Sequence, residues 1–381
     1  MTPAIEFRNL QGSALHDFPY PPKRRKCPHY ALVSITESGC CIHKCPVCYA
    51  RAYLWSADDR LVLYQNLPEK IDRELSQLQI APPLYLSQIT DCLQPVSEIR
   101  ELTVKIIRVI LRHQVSFHLV TKSADGPFEL IERIPELLTY PYWYLSMTIE
   151  ATPEKQEITS TFASPIEQRL WTLRKLCQMK MAITARTDPF LLGLMKAEDA
   201  LWLVQQIAKT GVKHIVSSTG YFNRISMRRV LEVLEKSKWR ENVPQVLKAY
   251  RCNEELLISI DPKKRFTVDW QTKVRYHRWL RQKVESLGMT YAVCQELPKE
   301  FDSVGIRHCE GIERNFVHFK DKDGVFCPIS DCFGDCLRSC PTSPKPPCGK
   351  KELLYQYPYR LKTLKMFNKR RQEKLFLPSG C

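Results

Sequence analysis

From residue 28 to about residue 238 the chain alternates short β-branched or aromatic runs with longer stretches whose apolar residues recur at helical spacing. The short runs predict strands over 30–37, 83–88, 116–121, 142–148, 181–187 and 214–218. Between them, 96–113 carries Ile99, Leu102, Ile106, Ile107 and Ile110 on one helical stripe, and 166–178 carries Leu170, Leu173 and Leu176. Six strand-helix units in series predict a parallel sheet with helices outside it, an α/β fold closing into a partial (β/α)6 TIM-like barrel. In such a barrel chemistry gathers in the loops at the C-terminal ends of the strands. Beyond residue 238 the pattern changes: 239–264 has no sustained period, 266–287 reads as a helix and 289–294 as a strand. The expected organisation is an N-terminal segment over 1–27, a core over 28–240, and a cysteine-rich C-terminal part over 241–381 that ends in a basic tail.

At 381 residues with 44% hydrophobic content, the chain can bury the core of one large barrel plus an appendage. It has no run of about 18 apolar residues, so no membrane span is expected. Residues 1–11 lack the basic start and apolar centre of a secretory signal, which favours the cytoplasm. In that compartment the 16 cysteines read as metal ligands and reduced thiols rather than a disulfide framework.

Charge adds a bias toward a partner. The formal net charge is +16, and much of the excess lies in Lys23, Arg24, Arg25 and Lys26 and in a tail with Lys362, Lys365, Lys369, Arg370, Arg371 and Lys374. Tyr355, Tyr357, Tyr359 and Phe367 interleave with that tail. Basic side chains among aromatic rings suit the phosphates and bases of DNA or RNA. A solvated, solubilising surface is the competing reading.

The most specific chemistry is Cys41-Ile-His-Lys-Cys45-Pro-Val-Cys48-Tyr49, three thiols spaced C-x3-C-x2-C directly after the first predicted strand. Three thiolates on one short loop leave the fourth iron of a cubane cluster open to bind a small molecule. Zinc knuckles instead pair one C-x2-C with a second pair, and Cys27 and Cys40 do not complete that pattern.

This spacing, in the loop after the first barrel strand, resembles the signature of the radical S-adenosylmethionine (SAM) superfamily. The resemblance narrows along the later strand ends: Ser87-Gln-Ile-Thr90-Asp91-Cys-Leu-Gln94-Pro95, then Leu119-Val-Thr121-Lys122-Ser123, then Arg186-Thr-Asp188-Pro189. Together with Cys48-Tyr49-Ala50-Arg51, the series looks like the spore photoproduct lyase-like branch, often described as DNA repair photolyases. The resemblance implies a [4Fe-4S] cluster on Cys41, Cys45 and Cys48, reductive cleavage of SAM, and a 5'-deoxyadenosyl radical that abstracts hydrogen from a substrate. It implies a reducing partner such as flavodoxin or ferredoxin, and a lyase or oxidoreductase type of reaction. Ser87, Thr90, Asp91, Lys122, Ser123, Arg186 and Asp188 are the cofactor-side candidates, each also readable as a strand-end cap.

Tyr49 is a candidate hydrogen-atom relay, or an aromatic packed against the cluster loop. Cys92 is a candidate hydrogen donor by analogy with a lyase thiol near this strand end. It follows Thr90 and Asp91, whereas the lyase thiol precedes the acidic residue, and an ordinary buried thiol is the other reading. Val47 stands where many members have an aromatic ring against the adenine, and the Gly-Gly-Glu segment common in the superfamily is absent.

Cys327, Cys332, Cys336 and Cys340 form a second field near the C-terminus, with Cys294 and Cys309 before it. An auxiliary iron-sulfur cluster on those four is the first expectation, with Cys294 or Cys309 able to replace one ligand; a zinc site and an unmetallated tail are the others. The segments Cys294-Gln-Glu and Gly305-Ile-Arg-His-Cys309 also resemble the end of a family of uncharacterised radical SAM proteins. Three functions follow in order: a radical SAM enzyme acting on nucleic acid, one acting on a peptide or small metabolite, and a non-catalytic zinc-dependent nucleic-acid-binding protein.

Overall fold

The computed structural model describes residues 4–17, 26–27, 30–56, 59–258, 264–312, 317–329, 332 and 361. All six expected parallel strands are present, but the sheet that holds them has eight strands. Its members are β1 (Leu15–Asp17), β2 (Ala31–Val33), β3 (Leu84–Leu86), β4 (Phe117–Thr121), β5 (Trp143–Thr148), β6 (Ile183–Thr187), β7 (His214–Ser217) and β8 (Thr290–Val293). They lie side by side in chain order. Strands β2 to β8 run parallel, with registers such as Ala31↔Leu84, Leu84↔Phe117 and His214↔Thr290, and β1 caps one edge antiparallel to β2.

The two extra strands have different origins in the sequence. β1 is only three residues long, too short for periodicity to show. The 289–294 run predicts β8 as a strand of the C-terminal part, yet it pairs with β7 and so belongs to the barrel sheet.

The strands are buried on both faces, as a parallel sheet requires when helices cover it; every residue of β5 and β6 is buried. The main outer helices are α1 (Leu67–Ser76), α2 (Ser97–Arg112), α3 (Gly126–Arg133), α4 (Ile166–Gln178), α5 (Ala197–Thr210), α6 (Arg224–Glu235) and α7 (Trp270–Ser286). The predicted stripe of α2 is the face it buries: Ile99, Ile106, Ile107 and Ile110 are inaccessible and Leu102 nearly so. Each such side chain contributes about 1.5–3 kcal/mol relative to exposure. Helix α7 starts where Asp269 accepts the Thr272 amide at 3.0 Å, and α6 starts at an Asn223–Ser226 capping box.

The barrel interior holds polar and aromatic side chains rather than aliphatic ones alone. Tyr85, His118 and Tyr144 stack in sequence, Tyr30 and Tyr144 share a 2.7 Å hydroxyl hydrogen bond, and His118, Ser146 and Thr184 are linked at 2.9 and 2.6 Å. A segment after β8 comes back to this interior. His214 Nε2 lies 2.8 Å from the Cys309 carbonyl, and Glu310 reaches Arg186 of β6. Gly311 follows with φ +63° against the His214 ring, where any Cβ would collide. Outside the barrel, His318–Lys320 pairs antiparallel with Ile80–Ala81 and with Phe326–Pro328 in a small three-stranded sheet.

Candidate active site

A cavity of about 420 Å³ opens at the C-terminal ends of the parallel strands. Cys41, Cys45 and Cys48 line it, all three as free thiols. Their loop is fixed from the β3 end: Thr90 Oγ1 donates to the Cys40 carbonyl at 2.9 Å, and the buried Gln94 amide accepts from Ile42 N at 2.8 Å and donates to the Cys40 carbonyl at 3.3 Å. The Arg51 guanidinium donates to the Lys44 and Cys45 carbonyls from the far side. Three hydrogen-bonding side chains thus hold the backbone of a loop too irregular to satisfy itself.

Burial pushes the Cys45 thiol up to about 11, with Lys122 pulling it back. Burial, then the neighbouring Cys45 and Asp91, push Cys41 up as well. The Cys41 and Cys45 thiols therefore resist ionisation until a cation joins them, as expected of metal ligands awaiting their metal. Among the described residues no group of three His, Cys, Asp or Glu converges tightly enough for a single metal ion. Ser87 Oγ, Gln88 Oε1 and His43 Nδ1 are buried at the same cavity without hydrogen-bond partners. The donor set and these orphaned polar atoms fit a cluster with a polar small molecule beside it.

Several cofactor-side candidates reach the cavity with their polar atoms already engaged. Asp91 accepts from His43 Nε2 at 3.0 Å, Thr121 Oγ1 at 2.9 Å, Lys122 N at 2.7 Å and Leu93 N at 2.9 Å. Burial alone would raise its carboxyl, but the His43 partner and the backbone donors hold it below the ordinary carboxylate range. Asp91 ties the ends of β3 and β4 to the cluster loop.

Lys122 Nζ meets Glu150 at 2.8 Å, and Arg169 Nη1 meets the same carboxylate at 3.0 Å. Burial pushes the Glu150 carboxyl up, but Lys122 and then Arg169 outweigh it and leave the group at about 2. Two cations on one anion leave one positive charge near Cys45.

Arg186 donates to Glu310 at 2.9 Å, to Asp188 at 2.8 Å and to Cys294 Sγ at 3.5 Å. Asp188 also accepts from Ser218. Tyr49 lines the cavity and donates its hydroxyl to the Gln88 carbonyl.

Other candidates are placed elsewhere. Cys92 is completely buried, packed in the main core with its Sγ toward the Leu86 carbonyl, and it does not line the cavity. The turn that follows residues 87–91 carries Cys92 into the core, whereas residues 87–91 line the cavity. Ser123 is buried away from the cavity, where its Oγ donates to Asp125 and accepts from Gly126 N at the start of α3. Cys327 is buried in the small outer sheet and does not line the cavity. Cys332 is buried, and Cys336 and Cys340 lie outside the described residues. Of the basic residues, Lys26 is buried in a 2.6 Å ion pair with Asp302, which neutralises its charge inside the fold. Lys23, Arg24, Arg25 and the tail from Lys362 to Lys374 lie outside the described residues.

The cavity is also lined by residues not assigned to this site from the sequence: Cys27, Tyr85, His118, Cys294, Cys309 and Glu310. Cys294 follows β8 as the other candidates follow their strands, so counting β8 into the barrel would have placed it. Cys27 and Glu310 carry no such local signal.

No family model matches the chain, and no curated protein matches it. Solved structures do. Spore photoproduct lyase complexed with dinucleoside spore photoproduct superposes with a TM-score of 0.52 at 13% identity, over 77% of this chain and 82% of that one. The fold is that of spore photoproduct lyase. A cysteine variant of spore photoproduct lyase gives 0.53 at 13% identity over the same shares. A doubly substituted variant of it, with bound AdoMet and dinucleoside spore photoproduct, also gives 0.53 at 13%, over 77% and 82%. The likeness to spore photoproduct lyase expected from the strand-end motifs therefore holds at the level of the fold. The partial-barrel core expected from the periodicity holds with it.

Proposed function

We propose that this chain is a radical SAM enzyme whose [4Fe-4S] cluster is held by Cys41, Cys45 and Cys48, and that its substrate is nucleic acid. The observation that carries the reading is three free thiols on one braced loop, lining a cavity at the strand ends of a fold shared with a protein solved with bound AdoMet. When bound, the cluster and SAM supply a one-electron reductive cleavage that yields a 5'-deoxyadenosyl radical.

The protein's part is placement and charge. Thr90, Gln94 and Arg51 fix the loop, and the Lys122–Glu150–Arg169 group sets a net positive charge beside thiolates that carry negative charge. Ser87 Oγ and Gln88 Oε1 are the free polar atoms for SAM. Asp91 acts through His43 and the β4 end rather than by direct contact, and Arg186 with Asp188 lines the cavity. Tyr49, fixed on the Gln88 carbonyl, sits between cluster loop and cavity.

The reaction type is lyase or oxidoreductase, the location cytoplasmic, and the electron donor a flavodoxin or ferredoxin. The core is the 28–240 region, with 290–293 and 308–311 lent to it by the C-terminal part. A nucleic-acid substrate is supported by the +16 charge and by the dinucleoside bound in the similar structure.

Anaerobically reconstituted, reduced protein should convert SAM to 5'-deoxyadenosine, measured by liquid chromatography. Cys41→Ala, Cys45→Ala and Cys48→Ala should each abolish it. Cleavage undiminished in all three variants overturns the assignment. Binding to single- and double-stranded DNA and RNA should weaken steeply with salt; a flat dependence moves the substrate to a peptide or small metabolite.

A further inference from the structure

An aromatic ladder runs from solvent to the cavity lining. The Trp55 ring stacks on that of Tyr53 with centroids 4.8 Å apart and planes 10° apart, and Tyr53 lines the cavity. Tyr53 in turn meets Tyr49, another lining residue, edge-on at 6.1 Å. Trp55 is 71% exposed and its neighbour Leu54 is 75% exposed, and large apolar side chains so exposed at the rim of a cavity mark an interaction surface.

Tyr221, itself 42% exposed, stands beside Tyr53, with a cation next to both. Burial raises the two hydroxyls, and the Arg265 guanidinium pulls each of them back. Asp188 also acts on Tyr221, but it is already engaged by Arg186 and Ser218.

The chain beneath the rings holds them in place. Tyr221–Phe222 pairs antiparallel with Phe266–Thr267, and strand alternation puts Tyr221 outward while Phe222 is fully buried, edge-on to Tyr250 at 4.9 Å. Gly220 has φ +73°, and any Cβ there would lie 2.7 Å from that of Pro189, a lining residue. Asn223 Nδ2 donates to the Ala52 carbonyl at 3.0 Å and ties this segment to the turn that precedes Tyr53. Ser56 N donates to the Tyr53 carbonyl at 3.1 Å and Ser56 Oγ to the Ser38 carbonyl at 3.2 Å, closing the turn that carries Leu54 and Trp55. A surface fixed beforehand loses little conformational entropy on binding.

We infer that Trp55, Tyr53 and Tyr221 form a stacking platform for the unpaired bases of a single nucleic-acid strand, with Arg265 on its phosphates, and that it leads one base into the cavity. The inference rests on the nucleic-acid reading of the substrate and specifies how the strand is held. Near-parallel rings whose outer member is largely exposed offer the arrangement that a base continues, and a cation beside them suits the backbone. In a duplex the bases already stack on one another, so only an unpaired or turned-out base can use the platform. A protein partner would use exposed rings as anchors in a pocket and has no need of a ladder that continues into the cavity.

The test is binding of full-length reconstituted protein to short fluorescein-labelled probes, followed by anisotropy: a mixed-sequence single strand, its duplex, and an abasic strand that keeps only sugar and phosphate. Wild type should bind the single strand about 5- to 150-fold more tightly than the abasic strand, the worth of one stacked base, and more tightly than the duplex. Trp55→Ala should lose about that factor for the single strand and keep wild-type affinity for the abasic one, with Trp55→Phe restoring part of the loss. Tyr221→Ala should weaken the single strand by a smaller factor. Arg265→Gln should weaken both strands alike and lower the salt slope by about 0.7. Thermal melting checks that each variant is folded.

Single-strand affinity unchanged in both Trp55→Ala and Tyr221→Ala overturns the inference and leaves the rings to a protein partner. Equal affinity of wild type for single strand and duplex overturns it too, as does equal weakening of the single and abasic strands in Trp55→Ala. Failure of the nucleic-acid reading itself is distinct: no probe, the abasic strand included, then binds wild type with a salt-dependent affinity, and the inference falls with it.

Discussion

The cavity is lined by two thiol walls, and the two are assembled from different distances along the chain. Cys41, Cys45 and Cys48 come from one loop, spaced by the local sequence and braced by Thr90 and Gln94 from the next strand end. Cys27, Cys294 and Cys309 come from an N-terminal segment, the end of β8 and a returning C-terminal strand of chain. A wall made by one loop is insensitive to how the rest of the barrel closes. A wall made by three segments exists only when the ion pairs joining them are intact, notably Lys26–Asp302 and Arg186–Glu310. Local spacing can thus encode a ligand set directly, whereas a dispersed group of thiols is encoded through the packing that gathers it.

The largest expected effect is on the local wall. Replacing any of Cys41, Cys45 and Cys48 by Ala should remove SAM cleavage altogether, while far-UV circular dichroism stays near wild type, because the loop contributes no barrel strand.

The dispersed wall should instead fail through stability. Glu310→Ala leaves the buried Arg186 with only Asp188, and removal of one partner of a buried pair costs about 3–5 kcal/mol. Denaturant unfolding should show that loss, whereas Cys41→Ala should leave the unfolding midpoint near that of wild type. Equal loss of stability in the two variants breaks the comparison.

Acidity separates the walls further. Glu150, beside the cluster loop, has its carboxyl lowered from 4.5 to about 2 by Lys122 and Arg169 against burial. A depressed acid stabilises above its unfolded pKa, so that contribution should be complete above pH 4.5 and lost as pH falls toward 2. Glu150→Gln should flatten this part of the stability profile and lower stability at pH 7, as two buried cations lose their anion. An unchanged acid limb removes the electrostatic account of this wall.

Smaller effects test residues that only brace or only pack. Gln94→Leu abolishes two hydrogen bonds to the loop and should cost about 1–3 kcal/mol, with slower cluster assembly followed by absorbance. Cys92→Ala should cost about 1 kcal/mol and leave 5'-deoxyadenosine formation at the wild-type rate, since the thiol packs in the core away from the cavity. Neutralising Lys362, Lys365, Lys369, Arg370, Arg371 and Lys374 should flatten the salt dependence of nucleic-acid binding without changing SAM cleavage. If binding and its salt slope persist, the tail is a solvated surface.

The alternation of apolar runs determined the six parallel strands and the helices of the core, because burial against a common sheet imposes periods that any segment displays on its own. The C-x3-C-x2-C spacing likewise carried the first ligand set, and the rule of strand ends carried Ser87, Thr90, Asp91, Lys122, Arg186 and Asp188 to the cavity. Tertiary structure decided what those groups touch. It turned Cys92 into the core and Ser123 toward α3, saturated Asp91 with four neighbours, and paired Lys122 with Glu150, since a buried polar atom takes whichever partner the neighbouring element presents. It alone added β8 to the barrel and brought Cys27 beside Cys309. Periodicity reports which face of a segment is buried and says nothing of which distant segment will cover it; that choice is made by packing and buried ion pairs between residues far apart in the chain.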